Sequence, residues 1–299
     1  SGSQRILRHL DWNTYQFTDH PIPLSLPHSL VQDKKNRGVV LVFETFGSFA
    51  KINIATGETL KIDHREGKEM SYGHATVTEA GDLLCTNVDP ATSRGHVVVR
   101  SPKTLKVVAQ LPPECDGSHQ VAMMPGGRVA VCGVATDFGR GEKGAVTFVD
   151  TETRQVTRRV ELPSSISHVI PIGPDEVMAL GLRMIAAPIN PAYSQSSEKN
   201  TPDAARTAEF QTAPIFRVRS DGTSSEFLSA GLNDLFKFNF AYLKVPHSNY
   251  SVTSHLGSHR VIVWDGGRPV KVFSHQYPTN LIASADGSEF MVISDGKAR

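Results

Sequence analysis

Short apolar runs rich in β-forming residues alternate with Gly, Pro and Asp turn clusters along the whole chain, the signal for strands joined by hairpins. Six runs open on a polar residue: His28-Ser-Leu-Val, Gly73-His74-Ala-Thr-Val, Ser118-His119-Gln-Val-Ala, Ser167-His168-Val-Ile, Asn239-Phe-Ala-Tyr-Leu and Thr279-Asn280-Leu-Ile. Successive openers lie 46, 45, 49, 71 and 41 residues apart, and passing from Asn280 through the C-terminus to His28 adds 47. A β-type repeat of about 45 residues predicts propeller blades, similar in period to WD40 repeats. The first residue of each innermost strand then faces a central channel, so the repeat also predicts a ring of His28, His74, His119, His168, Asn239 and Asn280.

The predicted fold is all-β: one six-bladed propeller over residues 1–299, each blade four antiparallel strands. In the second repeat His74–Glu79, Leu83–Asn87, His96–Arg100 and Leu105–Leu111 read as four strands, and Val129–Gly133, Ala145–Asp150 and Gln155–Leu162 continue the plan in the third. The turn between third and fourth strands recurs as Ala55-Thr-Gly-Glu58, Ser101-Pro-Lys-Thr104, Thr151-Glu-Thr-Arg154, Ser220-Asp-Gly-Thr223 and Asp265-Gly-Gly-Arg268. Its sixth copy is Asp11-Trp-Asn-Thr14, near the N-terminus, whereas the C-terminal region holds only Leu281–Ser284 and Glu289–Ser294. The last blade is therefore expected to combine strands from both termini, which removes a free sheet edge. The oversized fourth repeat carries a Pro-, Ser- and Asn-rich insertion at 181–214 between its second and third strands; a seventh, irregular blade there is the alternative.

The 31 basic and 30 acidic residues leave a net charge of +1, which gives no steering toward nucleic acid. No run reaches the ~20 apolar residues of a membrane-spanning helix. The opening Ser1-Gly2-Ser3 reads as a cloning scar, so a removed signal peptide is expected. Of three cysteines, Cys85 and Cys132 occupy equivalent second strands and are expected to be buried thiols, while Cys115 is expected on a loop; the odd count leaves room for one disulfide.

Converging imidazoles suit a divalent transition metal, and His74, His119 and His168 are the candidate metal ligands. Hydrogen bonding across blades or to channel water is the competing use of the ring. Loops expected around it carry Glu44, Asn87, Asp89, Arg94, Asp137, Arg140, Lys143, Arg183, His255 and His259. Of these, Arg94, Arg140 and Arg183 join the six ring residues as candidate ligand-binding residues. His255 and His259 are read as lying in a hairpin loop, where their spacing does not align the two rings. Local metal motifs, a nucleophile elbow and a phosphate loop are absent from the sequence.

Tyr72-Gly-His-Ala-Thr-Val-Thr-Glu-Ala-Gly-Asp-Leu-Leu-Cys-Thr-Asn87, followed by Asp89-Pro-Ala-Thr-Ser-Arg-Gly-His-Val-Val-Val99, resembles the bacterial family DUF1513. The resemblance extends through Gly117-Ser-His-Gln-Val, Pro125-Gly-Gly-Arg-Val-Ala-Val131 and Gly47-Ser-Phe-Ala-Lys-Ile-Asn-Ile-Ala-Thr-Gly57. It implies a propeller, export to the periplasm and association with iron-uptake proteins of the imelysin type. It also implies that His28, His74, His119 and His168 match the family's recurrent inner-strand histidines. The expected function is a non-enzymatic periplasmic binding or scaffold protein, connected with iron or metal acquisition, taking a small ligand, a metal ion or a protein partner. The alternative is a lactonase-like hydrolase in which a channel metal activates water, with Glu44 and Asp89 as the carboxylates able to reach inward.

Overall fold

The computed structural model describes residues 5–11, 13–24, 27–33, 35–36, 38–44, 48–63, 70–89, 94–135, 143–185, 209–211, 213–228, 237 and 239–294. Alternating side chains and punctual turns produce strands throughout, and the fold is a propeller of four-stranded antiparallel blades. Strands β1 (Arg5–Asp11) and β2 (Gln16–Ile22) form a two-stranded sheet. The first blade is β3 (Pro27–Gln32), β4 (Val39–Glu44), β5 (Phe49–Asn53) and β6 (Thr59–Asp63). The second is β7 (Met70–Val77), β8 (Leu83–Asp89), β9 (Arg94–Arg100) and β10 (Val107–Gln110). The third is β11 (Ser118–Met123), β12 (Val129–Ala135), β13 (Gly144–Asp150) and β14 (Gln155–Leu162).

The fourth blade starts with β15 (Ser165–Pro171) and β16 (Glu176–Ile185). The end of β16 pairs with β17 (Glu209–Gln211) before the chain returns as β18 (Ile215–Arg219) and β19 (Ser224–Leu228). Residues 186–208 of the expected insertion lie outside the described residues. The fifth blade is β20 (Asn239–Lys244), β21 (Tyr250–His255), β22 (Arg260–Asp265) and β23 (Arg268–Ser274), and β24 (Pro278–Ala283) pairs with β25 (Phe290–Ser294).

Among the described residues the blade count is five, rather than the expected six or the alternative seven. The strands assigned to a sixth blade form two separate two-stranded sheets instead. Each still has the local character expected of its half. In the β1–β2 turn, Asp11 Oδ1 accepts the Asn13 N–H at 2.9 Å and Tyr15 sits at φ 55. The β5–β6 and β13–β14 turns are built alike, with Asn53 and Asp150 accepting backbone N–H groups and with Gly57 at φ 72 and Arg154 at φ 58. These short side chains supply the bond that makes the turn. In the second blade Leu105 takes that left-handed position at φ 62 with its side chain fully buried, so the outer strand begins at Val107 rather than at Leu105.

A second regularity marks the inner strands. Ladder register shifts at the start of β3 (between Pro27 and Ser29), β7 (Ser71 and Ala75), β15 (Ile166 and His168), β20 (Asn239 and Ala241) and β24 (Pro278 and Asn280). An extra residue on one strand breaks the pleat and re-aims side chains. Five of the six polar openers read from the sequence, His28, His74, His168, Asn239 and Asn280, are therefore residues at or beside a bulge.

The described contacts group into two compact units, Ser1–Cys132 with Val149–Val156, and Gly133–Phe148 with Thr157–Arg299. In the first, Leu41, Phe43 and Phe49 pack on Val77, Leu83, Cys85 and Val98, joining the first two blades. Ile22 and Leu24 pack on Val40, Val42, Ala50 and Ile52 of the first blade. In the second, Met178, Leu180 and Ile215 pack on Tyr242, Ile262 and Trp264. Leu281, Phe290 and Val292 cover Val245, Val252 and Val261 of the fifth blade. Apolar faces of neighbouring sheets thus form the cores, as sandwich packing requires.

Candidate functional site

In the first unit, the bulged starts of β3 and β7, with the start of β11, bring three histidines together. His28 Nε2 and His74 Nε2 are 3.1 Å apart, with ring centroids at 4.6 Å and planes at 84°. The His74 and His119 centroids are also 4.6 Å apart, and their ligand nitrogens lie within 4.8 Å of each other. His74 is buried, His119 half-buried and His28 exposed at its surface. The Thr86 hydroxyl donates to the His74 carbonyl at 3.2 Å and ties β7 to β8 behind the ring.

Two facing Nε2 atoms make either a hydrogen bond between opposite tautomers or, with both unprotonated, a pair of lone pairs that only a cation reconciles. A metal at ~2.05 Å from two imidazole nitrogens holds them ~3.1 Å apart when the N–metal–N angle is near ~100°. The observed separation fits that bite. Protein around the His28 imidazole pushes its pKa down to about 4 by desolvation, toward the neutral form a metal requires. Water reaching its exposed surface opposes this shift.

His168 belongs to the second unit. Its residue is buried, its ring stands 5.0 Å from Phe240, and its Nδ1 lies 3.1 Å from Ser167 Oγ. The Ser167 hydroxyl faces the Leu180 and Asn239 carbonyls at 3.1 and 3.3 Å, which can only accept. Ser167 therefore donates to backbone, and His168 Nδ1–H donates to Ser167. In that tautomer Nε2 is the unprotonated nitrogen, the protonation pattern of a metal-bound imidazole.

Asn239 serves another purpose. It is fully buried, its Nδ2 donates to the Ala213 carbonyl at 2.9 Å, and its Oδ1 lies 2.6 Å from His255 Nδ1. Since Oδ1 accepts only, His255 carries its proton on Nδ1 and receives the Thr253 hydroxyl at Nε2, 2.7 Å away. Thr253 Oγ1 in turn accepts Trp264 Nε1–H at 2.9 Å. His255 is thus the buried last residue of β21, not a loop residue, and burial pushes its pKa down to about 3. His259 takes a left-handed conformation, with Nδ1 accepting the Tyr277 N–H at 3.3 Å. Sequence reasoning missed Thr253 and Trp264 as partners, although Trp264-Asp265 is the dipeptide after which WD repeats are named.

Asn280 is exposed on β24, and Asn87 is buried on β8. Arg94 and Arg183 lie on β9 and β16, and Glu44 and Asp89 at the ends of β4 and β8, with side chains outside the described set; Asp137 and Arg140 fall wholly outside it. Cys115 closes a 3-10 turn at Pro113–Cys115 and is fully buried rather than loop-exposed, because it joins the core between the second and third blades.

Residues 25–170 match the family described as Protein of unknown function (DUF1513). The DUF1513 match spans His28, His74, His119 and His168, and the resemblance read from the motifs is thereby shown over that stretch. No curated protein matches the chain. Among solved structures, Kuenenia stuttgartiensis hydrazine synthase is similar at 12% identity, with a TM-score of 0.53, covering 91% of this chain and 94% of that one. At that identity the likeness shows the propeller fold alone.

Proposed function

We propose that the protein is a non-enzymatic binding protein whose site is the His28, His74 and His119 group, taking a divalent transition metal. The observation that carries this is the 3.1 Å approach of His28 Nε2 to His74 Nε2. Neutral imidazoles suit Zn, Cu, Fe and Ni, and an all-histidine donor set leaves the ion's charge uncompensated, ready for an anionic ligand or a partner's carboxylate. His168 is the sequence-based candidate for a further ligand, since Ser167-His168 repeats Ser118-His119. A periplasmic place and an association with iron or metal acquisition belong to this reading through the DUF1513 resemblance.

The test is metal content and calorimetric titration of tag-free protein with Zn²⁺, Ni²⁺ and Fe²⁺, alongside His74→Ala, His119→Ala and His168→Ala. One equivalent bound by the parent, and at least about tenfold weaker binding in His74→Ala and His119→Ala, is expected for loss of a ligand. Equal binding by parent and both variants, or none by the parent, would overturn the reading. His168→Ala decides separately whether that residue contributes.

A further inference from the structure

The described part of the chain holds three cysteines, none of them in a disulfide and all fully buried. Two of them meet. Cys115 and Cys132 belong to one core cluster, with Leu84, Val97, Val121, Ala130 and Val149 around them, and the two thiols interact there. The Ser118 hydroxyl contacts Cys132 and donates to the Cys115 carbonyl. Cys85 is set apart by strand alternation. Its neighbour Leu84 faces the Cys115–Cys132 cluster, so Cys85 faces the opposite side of β8 and packs with Phe43 and Phe49.

We propose that Cys115 and Cys132 form a disulfide, a covalent site that staples the Pro113–Cys115 turn to the second strand of the third blade and leaves Cys85 as a thiol. The geometry allows it because only one partner must move. Cys132 sits inside the paired strand β12, whereas Cys115 ends a three-residue 3-10 turn directly after Pro112. Both side chains already lie in one core cluster, so reaching the ~2.05 Å bond length calls on the short turn and not on the paired strand. The bond would close a loop around the β11 hairpin that carries His119, so oxidation fixes the entry to β11.

The oxidant is a low-molecular-weight disulfide. Cys115 attacks it to give a mixed disulfide and release one small thiol; Cys132 then attacks the Cys115 sulfur and expels the second. Two protein thiols and one disulfide become one protein disulfide and two small thiols. The two protons and two electrons lost by the protein are carried away on the released thiols. The neighbouring Cys115 thiol, and then burial, raise the pKa of Cys132 well above its ordinary value, which makes the thiolate scarce while the turn is closed. Exchange therefore runs through opening of the 113–118 segment and is faster in mild urea or during refolding.

The test is refolding and native incubation with oxidised glutathione, then alkylation under denaturing conditions and peptide mapping. The expected result is one alkylated cysteine out of three, a mass about 2 Da lower before alkylation, a linked peptide pair holding Cys115 and Cys132, and a melting temperature several degrees higher than after reduction. Cys85→Ala should still form the link, and Cys115→Ser should abolish it. Three alkylatable thiols after oxidative refolding, or a link that includes Cys85, would overturn the proposal. The thiol count on the parent protein stands even if a variant fails to fold.

Discussion

Replacing Thr253 by Val tests the buried relay on the fifth blade. The two side chains have nearly the same shape, so the change removes one hydroxyl and little packing. That hydroxyl donates to His255 Nε2 at 2.7 Å and accepts from Trp264 Nε1–H at 2.9 Å, in a site where all three residues are 0–1% exposed. A buried polar group that loses its partner costs about 1–3 kcal/mol. Two such bonds make roughly 2–6 kcal/mol, and the added methyl group returns up to ~1 kcal/mol of apolar burial. The expected net loss is about 1–5 kcal/mol, a fall of roughly 2–8 °C for a chain of this size. Urea unfolding followed by tryptophan fluorescence measures it. A Trp264→Phe change should cost less in the Thr253→Val background than in the parent, because its bond is already gone. A midpoint within ~0.5 kcal/mol of the parent, with an unchanged slope, would refute the reasoning.

Two further outcomes follow from the same geometry. His255 is held neutral, with its pKa lowered to about 3 against an ordinary value of 6.5. The unfolded chain therefore binds the proton first as pH falls, so the stability from this group is complete above about pH 6.5 and declines steadily toward pH 3. Between pH 6.5 and 4.5 the upper bound is roughly 2.7 kcal/mol. Unfolding midpoints of parent and His255→Gln over that range should converge at low pH, and parallel curves would contradict a neutral His255. At the other end of the chain, deleting residues 1–24 uncovers Val40, Val42, Ala50 and Ile52. The shortened protein should melt at least several degrees lower or self-associate by light scattering, and a monomer with the parent's melting temperature would exclude a stabilising role for β1 and β2.

What the sequence by itself determined was local chemistry. Strand alternation, an Asp, Asn or Ser that makes its own turn, and a polar opener on each inner strand are short-range properties, and they place the five blades and their hairpins without reference to the rest of the chain. The grouping of His28, His74 and His119 followed from the same repeat, since equal positions in equal units come together. The tertiary structure decided everything that turns on a single-residue slip or a long-range pairing. His168 follows its bulge and meets Ser167, while Asn239 precedes its own and is drawn into the sheet to bond His255; a one-residue change of register sends a side chain to the opposite face. Cys115 looked like a loop residue because a three-residue 3-10 turn has no sequence period, and only core packing buries it against Cys132. The sixth blade depended on strands almost 300 residues apart, where no local preference acts, and there the fold settled on two half-sheets in place of one.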